Sequence, residues 1–331
     1  MFSTSMLRTF LAPIIVTVVA LAAVGVWGGF RAVFIATLLV VLEVTLSFDN
    51  AVVNAKVLKD MSEKWQNRFL TWGIFLSVVV TRAILPILIV AVSTGVSAWA
   101  IAMLAVYDPA QYAELLKGSH VIISAFGGTF LTLVGLRYFL DKEKEVHWIE
   151  FVEKRLARWG VIESGVIGIT LAILFVIALL LPEERTSILF SGLAGVLVFV
   201  FLQGIISAFG AESLRLGRSG LAFFLYLNVL DAAFSLDSVV GAFALTTQLP
   251  VVVAGLGAGA FFVRSLTVYM VRNKVLENLV YIEHGAHWAI LGLAGAMLVD
   301  LFINLPEPIT GLIGLTLVTF AYVSSVRMRR A

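Results

Sequence analysis

Apolar stretches of about twenty residues recur along this 331-residue chain, each closed by a charged or proline-bearing break. A run of that length is what a helix needs to cross the hydrocarbon core of a bilayer, where only helices and closed barrels satisfy their backbone polar groups internally. The expected architecture is an all-α polytopic membrane protein with about ten transmembrane helices, over residues 9–28, 31–55, 69–92, 119–140, 164–181, 187–209, 219–246, 251–272, 283–303 and 308–326. The charged share of 13% is about half that of a soluble domain, and no stretch is long and polar enough to make one. The first run lacks an A-x-A cleavage site and passes through Gly28-Gly29-Phe30-Arg31 straight into the next, so it is expected to be retained as a helix.

The placement of Lys and Arg tests the span count. With a cytoplasmic N-terminus, only Arg31, Lys117 and Arg185 of the 23 basic residues fall in outer loops, and Arg82 and Arg264 lie inside spans. The rest face the cytoplasm, as the positive-inside rule requires, so both termini are expected there, in an inner (plasma) membrane of a bacterial type. Residues 95–106 are apolar but too short to span and are expected to lie at the outer interface or re-enter the membrane. Within the charged segment 141–163, Val146, Ile149, Val152, Leu156 and Trp159 share a helical face opposite the charges, which predicts a helix lying on the cytoplasmic leaflet.

Two acidic motifs interrupt the apolar pattern. The second span carries Glu43-Val44-Thr45-Leu46-Ser47-Phe48-Asp49-Asn50, and the seventh carries Asp231-Ala232-Ala233-Phe234-Ser235-Leu236-Asp237-Ser238. Acid matches acid twice and serine matches serine at a common offset of 188 residues, and the span after each motif holds one arginine, Arg82 or Arg264. Five spans separate the copies, so they run in opposite directions, the arrangement of inverted-topology repeats that place a substrate site near the midplane. The halves are expected at residues 1–181, holding spans one to five and the segment 141–163, and at residues 182–331, holding spans six to ten.

A carboxylate near the bilayer centre costs at least ~2.5–3.5 kcal/mol, so it persists there protonated, paired or bound to a cation. Arg82 and Arg264 can balance part of the acidic charge and leave the cluster near the charge one divalent ion requires. Glu43, Ser47 and Asn50 share a helical face, as do Asp231, Ser235 and Ser238. Asp49 and Asp237 fall off that face unless the helix unwinds around the Ser-x-Asp step or the second acid bonds a neighbour such as an arginine. Carboxylate, amide and hydroxyl oxygens are hard donors suited to Mn²⁺, Mg²⁺ or Ca²⁺, and the absence of cysteine removes thiolate sites, disulfides and Cys nucleophiles. Glu283, His284 and His287 at the start of the ninth span, and His120 at the start of the fourth, are secondary candidates; each also fits an interfacial residue bonded to backbone or headgroup. Gly255, Gly257 and Gly259, with Gly192 and Gly195, are expected to permit close helix packing.

Ser47-Phe48-Asp49-Asn50-Ala51 and Ser235-Leu236-Asp237-Ser238-Val239, each with an acid four residues before the serine, resemble the motifs of the TerC family of bacterial membrane proteins, part of a broad group of exporters related to the LysE transporters. The resemblance covers roughly residues 31–140 and 219–303. It implies efflux of Mn²⁺ and a link to tellurite resistance, with Glu43, Asp49, Asn50, Asp231 and Asp237 as metal ligands. Ser238 stands where asparagine is more usual, and the span count and the segment 141–163 exceed the family's minimal core. The leading expectation is thus a divalent-cation exporter working by alternating access, with the cation as substrate and no prosthetic group. The alternatives are a proton-coupled exporter of a small organic solute and a non-transport scaffold in metal or tellurite stress. No zincin motif, nucleophile elbow or Ser–His pair points to an enzyme, and nothing points to nucleic acid; a homo-oligomer remains open.

Overall fold

The computed structural model describes residues 4–59, 61–141, 146–158, 163–210, 220–303, 305 and 307–330, and every regular element among them is helical. In chain order these are α1 (Thr4–Leu46), α2 (Phe48–Lys59), α3 (Glu63–Phe75), a π-helical segment (Leu76–Ile84), α4 (Leu85–Thr94), α5 (Ala98–Tyr107), α6 (Pro109–Gly118) and α7 (His120–Phe139). They continue with α8 (Glu150–Arg158), α9 (Glu163–Leu180), α10 (Arg185–Gly210), α11 (Gly220–Leu245), α12 (Leu249–Arg272), α13 (Val275–Asn278), α14 (Ile282–Asp300) and α15 (Glu307–Arg330).

Among the described residues, seven helical runs are long and apolar enough to cross a membrane: Thr9–Leu46, Glu63–Thr94, His120–Phe139, Arg185–Ser207, Gly220–Phe243, Leu249–Arg272 and Ile282–Asp300. The first joins the expected spans 9–28 and most of 31–55 through Gly29, whose positive φ (φ 69°, ψ −167°) marks a kink between two helices. The expected span 164–181 corresponds to α9, whose apolar part Ser164–Leu180 is shorter, and 308–326 falls in α15; neither belongs to the seven. Residues 95–106 begin a pair of short helices, α5 and α6, capped by Ser97 and Asp108. Bare apolar side chains cover α1, with Val26 92% and Phe30 85% exposed. Water would not tolerate such a surface and lipid does, so the helices mark a membrane protein.

The chain forms two compact units, and both draw on chain from either side of residue 181. The first comprises Met1–His120 and Phe223–Asn273. Its central contact is α12 along α1. Gly255 and Gly259, one turn apart on α12, allow it: a Cβ on Gly255 would lie 2.6 Å from Leu39 Cβ, and one on Gly259 2.6 Å from Glu43 Cβ. Gly257 faces the π-helical segment instead, where its Cβ would meet Val78 at 2.9 Å. Close packing of bare backbone is thus what the glycine stripe expected from the sequence provides. Apolar clusters flank this contact, one around Ala32, Ala36 and Val251 and another around Leu58, Phe69, Leu227 and Val268.

The second unit comprises Val121–Ala222 and Lys274–Ala331. Here α14 packs on α15 and α9 on α10, around Ala125, Leu174, Ile177, Ala178 and Ile188. Gly195 lets α10 approach the α7 backbone, with a Cβ there falling 2.7 Å from the Phe126 carbonyl oxygen. The segment expected to float on the leaflet departs in one respect: Glu153, assigned to its charged face, is fully buried. Its carboxylate accepts from Trp288 Nε1 of α14 at 2.9 Å and from the Trp148 and Ile149 amides at 3.2 Å, so α8 is docked through a polar contact. Trp159 lies outside the described residues.

Candidate functional site

The first motif sits where a helix breaks. α1 ends at Leu46, Ser47 forms a turn and α2 starts at Phe48. The i→i−4 bonds persist on either side, from Ser47 N to Glu43 O at 3.0 Å and from Ala51 N to Ser47 O at 3.1 Å. Asp49 therefore lies in the first turn of α2, where the helix dipole favours an acid. The second motif has no such break, since α11 runs unbroken from Gly220 to Leu245. The unwinding contemplated at the Ser-x-Asp step is present as a local turn in the first copy alone.

Five elements of the first unit, α1, α2, the π-helical segment, α11 and α12, bring their polar groups together. The Glu43 carboxylate is buried and forms an ion pair with Nη2 of Arg82, itself 0% exposed, and Ser47 Oγ donates to the same carboxylate oxygen at 3.2 Å. Arg82 Nη1 donates to the Ser77 carbonyl at 2.7 Å and to Ser77 Oγ at 2.6 Å. Ser77 Oγ in turn donates to Asp231 Oδ2 at 2.6 Å. Arg264 Nη2 pairs with the same Asp231 oxygen at 3.0 Å, and Asn50 Nδ2 donates to Asp231 Oδ1 at 3.1 Å. Asp231 is thus the hub, a buried carboxylate accepting from a serine, an amide and a guanidinium.

Arg264 is held on its other sides by Asn228 Oδ1 at 3.2 Å and by the face of the Phe69 ring, 4.3 Å from its guanidinium carbon. Gly73 keeps the space free, because a Cβ there would collide with Arg264 Nη1. The first acid of each motif is therefore paired with the arginine of the helix that follows it: Glu43 with Arg82, and Asp231 with Arg264.

The π-helical segment explains how Arg82 reaches Ser77. Its wider turn brings residues five apart onto one face, whereas in an α-helix they diverge by about 140°. Thr81 shows the same register, its hydroxyl donating to the Leu76 carbonyl at 3.4 Å.

Several buried polar atoms of this region have no hydrogen-bond partner among the described residues: Glu43 Oε2, Asn54 Oδ1, Arg82 Nε and Arg264 Nε. Asn54 extends the network, donating to Asn50 Oδ1 at 2.8 Å. Asp49 is buried, 4% exposed, and no cation pairs with it among the described residues. The described side chains thus set three acids, Glu43, Asp49 and Asp231, against two arginines, Arg82 and Arg264, in an apolar surround.

The backbone of Asp237 continues α11, but its side chain lies outside the described residues. Ser235 is buried, and Ser238 turns its hydroxyl back onto the Ser235 carbonyl at 3.0 Å. Glu283, His284 and His287 belong to the second unit. His284 Nε2 donates to the Val146 carbonyl at 2.7 Å, and His287 stacks on Tyr138 at 3.6 Å between ring centres with Nδ1 bonded to the Glu283 carbonyl at 2.9 Å. Among the described residues no three acids or histidines converge on a place where a metal could be held. Sequence reasoning missed Ser77, Asn54 and Asn228. A polar side chain in the middle of an apolar span was the available signal for Ser77 and Asn228, and the four-residue step from Asn50 was the signal for Asn54.

Fold and site together define a class: a helical membrane protein with a buried acid–arginine network built from a repeated motif. A family model described as a protein of unknown function (DUF475) matches residues 48–331, most of the chain, and the protein belongs to that family. The matched range takes in Asp49, Asn50, Ser77, Arg82, Asp231 and Arg264, while Glu43 precedes it. No curated protein and no solved structure matches the chain.

Proposed function

We propose that the protein is a transporter that moves a divalent cation, Mn²⁺ first among candidates, out of a bacterial cell across its inner membrane. It works by alternating access between two inverted-topology halves of five spans each, with both termini in the cytoplasm. The observation that carries this reading is the buried network itself: both first acids of the repeated motif paired with arginines, beside a buried Asp49 with which no cation pairs among the described residues. Uncompensated carboxylates inside membrane helices mark ion pathways. The partnerless oxygens Glu43 Oε2 and Asn54 Oδ1 are further hard donors of the kind Mn²⁺, Mg²⁺ and Ca²⁺ take.

On this reading the arginines occupy the acids in a cation-free state, and the cation is bound after they withdraw. Among the described residues no three acids or histidines converge, so this reading requires the arginines to give way before a cation is held. The motif resemblance to TerC proteins supports Mn²⁺ over its neighbours; the ligand chemistry alone does not distinguish them.

The test is cation flux in proteoliposomes loaded with a Mn²⁺-quenched dye. Asp49→Asn is expected to lower the flux at least about tenfold, a loss of about 1.4 kcal/mol or more in transition-state stabilisation, while the purified protein unfolds at an unchanged temperature. Full flux in this variant, or no flux of Mn²⁺, Mg²⁺ or Ca²⁺ in the wild type, would end the proposal. A second reading, in which the network is a static brace, is favoured by the ion pairs of Glu43 with Arg82 and of Asp231 with Arg264. It expects Asp49→Asn to leave every measured property in place.

A further inference from the structure

Away from the acidic network, the first unit contains a half-open cavity of about 400 Å³ lined by Arg31, Lys117, Thr246, Thr247 and Gln248, with Gly28 at its wall. We propose that it is a binding site for a phosphate-bearing anion, supplied by the headgroup of an anionic phospholipid. The charge pattern comes first. Arg31 and Lys117 are both exposed and come from different elements, and neither has an acidic partner among the described residues. Two cations facing one concave space repel each other unless an anion sits between them, and no carboxylate lines the cavity.

The polar lining complements an oxyanion. Thr246 Oγ1 accepts from the Gln248 amide at 3.3 Å, which leaves its O–H free to donate, and the Thr247 hydroxyl and Gln248 side-chain amide add further donors.

The surroundings select the lipid over a soluble anion. Trp27 and Phe30 flank the glycines of the α1 kink and are 59% and 85% exposed, the kind of aromatic belt that marks the level of the headgroups. A headgroup held there joins α1, α6 and the α11–α12 connection, and so braces from outside the helices that carry Glu43 and Arg264. The transport mechanism uses neither Arg31 nor Lys117, so this site stands or falls separately from it.

The experiment compares full-length wild type, Arg31→Gln, Lys117→Gln and the double variant in neutral detergent. Each is titrated with phosphatidylglycerol, with phosphatidylcholine or with inorganic phosphate, and binding is read by native mass spectrometry and thermal stability. Phosphatidylglycerol is expected to bind and stabilise the wild type, roughly fivefold more weakly after either substitution and roughly thirtyfold more weakly after both. Lys117→Arg, which keeps the charge, is expected to bind as the wild type does. Saturable binding of inorganic phosphate with the same variant dependence would uphold the site and assign it to a soluble anion. Equal phosphatidylglycerol binding by wild type and double variant, or equal binding of phosphatidylcholine, would overturn it.

Discussion

Replacing Asp231 by asparagine separates a network that holds charge in balance from one that merely fills space. Asp231 is 4% exposed and accepts from Ser77 Oγ, Asn50 Nδ2 and Arg264 Nη2. The amide keeps the shape but removes the charge that compensates Arg264, itself 1% exposed. Removing one partner of a buried ion pair costs about 3–5 kcal/mol, because the other is left charged and dry. An asparagine also offers one oxygen where two accepted, so one of the three donors meets an N–H instead; that loss is part of the same figure.

Adding Arg264→Gln removes the stranded cation and is expected to recover about 2 kcal/mol or more of the loss, a coupling of the size seen for residues in one network. Asp49→Asn is the internal control: with no cationic partner to strand among the described residues, its expected cost is well below that of Asp231→Asn. The assay is equilibrium unfolding in mixed micelles of a mild and a denaturing detergent, followed by tryptophan fluorescence. Equal losses for Asp231→Asn and Asp49→Asn, or strictly additive effects in the double variant, would refute the charge-balance account.

Two further outcomes follow from single contacts. Gly259→Ala and Gly255→Ala each put a Cβ 2.6 Å from a Cβ of α1 and are expected to cost about 1–3 kcal/mol. Only Gly259→Ala, which pushes on Glu43, should also lower cation flux in proteoliposomes, whereas equal flux in the two variants would show that the Glu43–Arg82 pair is not position-sensitive. Glu153→Gln removes one of the two carboxylate oxygens that hold Trp288 Nε1 and the Trp148 and Ile149 amides, at about 1–3 kcal/mol of local stability. Hydrogen exchange at those two amides should accelerate accordingly, and unchanged exchange would mean that α8 is held by its apolar face alone.

Periodicity and spacing made much of this arrangement legible. The apolar runs marked the helices, the glycine stripe on α12 marked the close approach to α1, and the offset between motifs put one arginine on the span after each copy; spacing pointed to the second acids as the arginines' partners, whereas the arginines pair with the first acids, Glu43 and Asp231. The rest depended on tertiary context. Nothing in Leu76–Ile84 announces π-helical register, because one extra residue per turn leaves no compositional trace; with it, Ser77 moves into line with Arg82. Glu153 looked like a solvated charge because its neighbours in sequence are charged, yet its partner Trp288 lies 135 residues away. The break at Ser47 and the continuity through Ser235 both fall on a Ser-x-Asp step with an acid four residues before the serine, so the shared motif does not by itself dictate the break.

The pairing of acids with arginines bears on how such a site could cycle. A carrier that returns empty must bring its acidic site back through the low-dielectric interior without its cation, and each bare carboxylate there costs at least ~2.5–3.5 kcal/mol. A guanidinium from the following helix removes that cost in the empty state only, provided it can leave when the cation arrives. Arg82 is placed for such an exchange. It sits in a π-helical segment, where reverting one turn to α-helical register rotates the side chain by about 100° and takes it off Glu43. Arg264 has no matching device, being fixed in regular α-helix by Asn228, Asp231 and the Phe69 ring. The two motif copies therefore differ in how their arginines are held, although their sequences match at acid and serine: on the proposed mechanism the Glu43 side opens to admit the cation and the Asp231 side holds still as the frame it binds against.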